Sequence, residues 1–205
     1  MQKIAGILLS IGALVSIAGE TRPVIFKIFG AIDNPPLQAA YIEDDPTGWG
    51  VAHLLMGIGS LIAASGVVLL ARQVQSISNK SSLRIASNVG AAMAVVGALF
   101  WAIVGYNRVA RAPQEVVANM GAANWMEWAY FLPTEIALIL VGFVLLQTGY
   151  PKWLAWPVLV LGGLMLIGSF LGGGVPLFHS ILYLILGIAL LLLRSRSPQP
   201  LPSPI

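Results

Sequence analysis

The sequence predicts an all-α integral membrane protein: a six-transmembrane-helix bundle with short surface helices in its outer loops. Three observations carry this. The chain is 58% hydrophobic and only 9% charged, whereas an ordinary soluble domain is about 25% charged. Its mean hydropathy is +0.86. Six apolar stretches recur along it, at about 4–19, 51–71, 85–106, 129–149, 153–172 and 176–193. Most approach the roughly 20 residues that a helix needs to cross about 30 Å of hydrocarbon. In lipid every backbone group must be paired within its own segment, so these stretches read as helices. The alternating pattern of an outer-membrane barrel is missing.

The first stretch, Ile4–Gly19, is short for a span. Lys3 ahead of it, with Ser16 and Ala18 near its end, gives it some features of a secretory signal. It is counted as a retained helix. Residues 20–50 hold the apolar patch Val24–Ile32, then Asn34-Pro35-Pro36, then Leu37–Ile42. They read as one or two short surface helices broken at the prolines. In the second and third stretches small residues recur at four-residue spacing: Gly59 and Ala63, then Gly90, Ala94 and Ala98. That spacing lets helix backbones approach closely. The polar, serine-rich connection Gln73–Arg84 lies between them.

Residues 107–127 contain Ala112-Pro113-Gln114-Glu115, a helix start with proline in its first turn. Asn124 and Glu127 have the spacing of a capping box opening the fourth span. Tyr150-Pro151-Lys152 is a tight turn into the fifth span, where Gly162-Gly163 and Gly168 suit close packing. The turn Gly172–Pro176 leads into the sixth. The chain is then one membrane domain over 1–194, followed by a proline-rich cytoplasmic tail over 195–205.

Six spans place Lys3, Arg72, Lys80, Arg84, Lys152, Arg194 and Arg196 on one side and Arg22, Lys27, Arg108 and Arg111 on the other. The majority marks the cytoplasmic face, so both termini are expected in the cytoplasm of a bacterial inner membrane. The net charge of +3 is then an inner-leaflet signal, and nucleic acid is not an expected partner. The expected partners are the lipid bilayer and a second copy or another membrane protein, packed on the small-residue faces. Trp49, Trp101, Trp125 and Trp128 are expected at the outer interface and Trp153 and Trp156 at the inner one. With no cysteine in the chain, disulfides, thiolate metal sites and cysteine nucleophiles are excluded.

Polar residues inside the spans concentrate near the outer end. His53 and His179 each lie about one turn inside an outer helix end, at equal depth. Glu135 is the only carboxylate within a predicted stretch, roughly 10 Å along the fourth span from Trp128 at about 1.5 Å per residue. It follows Pro133, whose missing N–H leaves a carbonyl near Ala129 unpaired. An ionisable group within a span marks a functional site or a helix tie. Tyr106, Asn107, Arg108 and Arg111 close the outer end of the third span, where Trp101 also lies.

Two ligand chemistries suit this set. His53 and His179 can bind a b-type haem, with Arg108 and Arg111 meeting its propionates and Gly57 leaving room for the ring. The same histidines with Glu135, or with Asp44 or Asp45, can hold a divalent metal. The ligand pocket is expected among Glu135, Tyr106, Trp101 and Asn107. The functional expectation is an outer-leaflet pocket for a cofactor or a lipid-like ligand, b-type haem being the most specific candidate. The alternatives are a metal-dependent hydrolase or transferase at the outer leaflet and an accessory subunit of a membrane complex. Whether the chain is an enzyme is left open. No H-E-x-x-H, G-x-S-x-G or phosphate-loop pattern occurs, and inverted repeats and midplane polar groups of a transporter are lacking.

Overall fold

The computed structural model describes residues 1–29, 35–118, 125–172 and 176–193. These form eight helices: α1 (Gln2–Phe29), α2 (Pro35–Asp44), α3 (Pro46–Ile77), α4 (Ser81–Ala110), α5 (Pro113–Ala118), α6 (Trp125–Gln147), α7 (Lys152–Gly172) and α8 (Pro176–Leu192). The described residues contain no strand. Five helices are long and apolar enough to cross a membrane: the Gln2–Thr21 part of α1, with α3, α4, α6 and nearly all of α7. Helix α8 is apolar but has 17 residues, a length of about 25 Å.

Sequence neighbours pack antiparallel in a ring. α1 lies between α8 and α3, α3 against α4, α4 against α6, and α6 against α7, while α7 and α8 barely touch. Small residues set the closest seam. A Cβ on Gly59 would stand 2.6 Å from the Gly12 carbonyl oxygen, and a Cβ on Gly12 would stand 2.6 Å from that of Gly59. Only hydrogen fits at both positions, so α1 and α3 meet backbone to backbone. The four-residue spacing anticipated this for Gly59 and Ala63. The apolar core runs down the ring axis through Leu9, Val67, Leu138, Leu145, Leu186 and Leu190.

The ends are tied differently. At the end where α1 starts and α8 finishes, Gln2 Nε2 donates to Leu190 O at 3.1 Å and Lys3 Nζ to Leu193 O at 3.0 Å. These side chains satisfy carbonyls that the last helical turn leaves without partners. At the opposite end, which we call the cap end, Asp45 accepts from Gly48 N at 2.8 Å, with Pro46 at the start of α3. Asp45 is thus an N-cap. The short helices α2 and α5 pack on each other there, burying Ile42 and Val116 with Trp49.

Two local expectations change. The patch Val24–Ile32 does not start a separate helix, because α1 continues through Phe29. Of the four tryptophans expected at one interface, Trp49 and Trp101 are buried. Their helical phase puts Trp49 one turn from His53, and Trp101 on the same inner face as Val104 and Arg108. Trp125, Trp153 and Trp156 are exposed on the bundle surface. Asn124, most of the turn after Gly172, and the tail 195–205 lie outside the described residues.

Candidate functional site

Among the described residues the buried acids, histidines and arginine gather at the cap end, in two clusters and a neighbouring pair. The first joins α3, α4 and α6. His53 makes a hydrogen bond from Nδ1 to the Trp49 carbonyl oxygen at 2.9 Å, one turn back along its own helix. A carbonyl only accepts, so the proton is on Nδ1 and Nε2 is left as an acceptor. Arg108 Nη1 approaches that Nε2 at 3.4 Å. The same guanidinium pairs through Nη2 with Glu127 Oε1 and lies 5.6 Å from the Trp101 ring centre. Both side chains of the Arg108–Glu127 pair are under 10% exposed, at 9% and 7%.

The second cluster joins α6, α7 and α8. Glu135 is fully buried, at 0% exposure. Ser169 on α7 donates to its Oε1 at 2.5 Å. His179 Nε2 stands 3.5 Å from the same oxygen, an electrostatic contact rather than a formed hydrogen bond. Glu135 Oε2 and both ring nitrogens of His179 have no hydrogen-bond partner. The His179 ring is held edge-on to Tyr130 at 5.4 Å and tilted against Phe131 at 5.7 Å. A third pair lies alongside: Ser180 Oγ donates to Glu20 Oε1 at 2.9 Å, linking α8 to α1.

Aromatic rings fill the space beside these clusters. Trp101, of the first, stacks on Tyr130 at 4.3 Å, and Tyr130 in turn touches His179 of the second. His53 and His179 therefore both face the interior but have different partners. His53 engages both its nitrogens, which leaves neither for iron. Among the described residues no three His, Asp or Glu side chains come close enough to hold a metal ion. The three-ligand arrangement of His53, His179 and Glu135 is thus not assembled. Gly57 packs against Ala102, where its Cβ would stand 3.2 Å from the Ala102 Cα, so it is a helix contact and opens no slot for a ring.

The remaining predicted site residues are dispersed. Arg108 is buried, while Arg111 follows the end of α4 and is exposed. Tyr106 is 72% exposed and points away from the interior. Asn107 is partly buried, with its amide 3.3 Å from Met126 Sδ. Asp44 is exposed and Asp45 is committed to its cap.

Two buried carboxyls escaped the sequence reading, Glu20 and Glu127. Both sit next to apolar runs and looked like loop residues. Glu127 pairs with Arg108; Asn124, its partner in the expected capping box, lies outside the described residues. The available signal was helical phase: Ser16 and Glu20 share a face of α1, and Arg108 and Glu127 occur at facing ends of neighbouring antiparallel helices.

Where α7 and α8 diverge, an apolar groove of about 380 Å³ runs between them. Leu164, Met165 and Gly168 line one wall and Phe178, Leu182 and Ile185 the other. A residue three or four positions along a helix lies on the same face. Met165 is four before Ser169, and Leu182 is three after His179. The groove runs from the depth of the Glu135–Ser169–His179 cluster away from the cap end; its lining includes Gly168 and Phe178, the sequence neighbours of Ser169 and His179, but none of the three cluster residues. Comparison with known protein families, curated proteins and solved structures gives no match.

Proposed function

We propose that this chain is a six-span protein of the cytoplasmic membrane, with both termini inside, that binds a lipid-like ligand from the outer leaflet. The polar head meets Glu135, Ser169 and His179, and the apolar chain lies in the groove between α7 and α8. The observation that carries this reading is the alignment of Met165 and Leu182 with Ser169 and His179. A lipid-soluble amphiphile needs an apolar trough with polar groups close by, and Met165 and Leu182 put the groove wall one turn from Ser169 and His179. The groove volume falls within the roughly 300–1,000 Å³ of small-molecule sites. Polar groups buried without partners are costly, and a head group that both donates and accepts would satisfy Glu135 Oε2 and the His179 nitrogens. Haem and a shared divalent metal are less well supported, because His53 and His179 have different partners.

The orientation rests on the Lys and Arg asymmetry, and α8 counts as the sixth span by its apolar length. The test uses a photoreactive diazirine fatty acid added to membranes containing the protein. Label should concentrate on α7 segment 161–168 and α8 segment 178–185, and Glu135→Gln should reduce it while the protein still inserts. Equal labelling of the exposed α4 face at Leu99 and Ile103 would mean ordinary lipid contact and end the proposal.

A further inference from the structure

A small space lies between α1, α3, α6 and α8, away from the groove. It measures about 10 Å³ and is lined by Ser16 of α1, Ser60 of α3, Tyr130 and Thr134 of α6, and Ser180 and Tyr183 of α8, with alanines between them. A volume of about 10–15 Å³ with two to four polar partners is what one internal water requires. Six hydroxyl-bearing side chains around so small a space are unusual in an otherwise apolar core.

We propose that this cavity binds a single ordered water that bridges α1, α3, α6 and α8. Hydrogen-bond accounting supports it. Thr134 Oγ1 is buried and has no partner in the protein. Ser180 gives its proton to Glu20 Oε1, so its own lone pairs remain free to accept. A water between them accepts from Thr134 and donates to Ser180, extending a chain that ends on Glu20. Hydrogen bonds in such a chain polarise and strengthen one another. The site also has Tyr130 in its lining. It is independent of any ligand in the α7–α8 groove.

Two substitutions test this on the purified full-length protein. Tyr183→Phe removes one hydroxyl and little else. Thr134→Val removes the hydroxyl that the water would satisfy. If the cavity holds water, Thr134→Val loses the bridged hydrogen bond and the apparent Tm falls by about 2–4 °C. If the cavity is dry, Thr134→Val removes a hydroxyl with no partner in the protein and Tm stays or rises. Tyr183→Phe leaves both partners of the water in place and gives the reference change for losing a hydroxyl from this lining. A density map resolving ordered waters gives the direct answer. A peak between Thr134 and Ser180 is expected, and a clean map without one would overturn the assignment whatever the variants do.

Discussion

Arg108→Met is the most informative single perturbation. The guanidinium joins α3, α4 and α6 through His53, Trp101 and Glu127, and both ion-pair side chains are less than a tenth exposed. An exposed pair would contribute only about 0–1 kcal/mol. Breaking a buried pair while one charge stays behind costs about 3–5 kcal/mol. Methionine keeps much of the arginine stem volume, so the loss measures the charge left on Glu127 rather than a cavity. At about 2–4 °C per kcal/mol for a chain of this size, the apparent Tm should fall by about 6–20 °C. Unfolding can be followed by intrinsic tryptophan fluorescence of the detergent-purified protein, since Trp49 and Trp101 flank the cluster. The double variant Arg108→Met with Glu127→Leu should recover most of the loss, because an apolar pair can replace a buried ion pair at little cost. A drop under about 2 °C, the behaviour of a surface pair, or a double variant that merely adds the two single losses, would refute the reasoning.

Other outcomes follow from the same structure. Gly59→Val should abolish stable folding, seen as loss of a monodisperse peak in size-exclusion chromatography, because its side chain would meet the Gly12 backbone. Gly163→Ala should leave Tm unchanged or slightly raised, since nothing lies within 4 Å of the added carbon. Asp45→Ala should lower stability by about 0.5–2 kcal/mol through loss of the α3 N-cap, measured by thermal unfolding. The chain has no cysteine, so single cysteines can be placed freely. One at position 119 should react with a membrane-impermeant maleimide on intact cells and one at position 80 should not; the reverse pattern would invert the proposed orientation.

The long apolar helices were legible because composition and apolar length act along one segment at a time. A helix in lipid satisfies its own backbone, so its existence needs no knowledge of its neighbours. The Gly59–Ala63 packing face was legible for a similar reason: a four-residue spacing is a local property of one helix. The prominence of Glu135 and the interior placement of both histidines also followed from their position in apolar stretches.

Partnership was not legible. Equal depth suggested one site for His53 and His179, but depth is a single coordinate, and the angle of each helix around the bundle decides which groups meet. That angle comes from the glycine and alanine contacts between helices, which pair residues far apart in sequence. It put Arg108 against His53 and Glu127, Glu135 against Ser169 and His179, and Glu20 against Ser180. It turned Tyr106 outward and Trp49 and Trp101 inward. By itself the sequence determined which segments are apolar helices and which of their residues are costly to bury. Only the tertiary structure decided how those costs are met, because a buried charge or hydroxyl is satisfied by what the neighbouring helix presents at the same depth and angle.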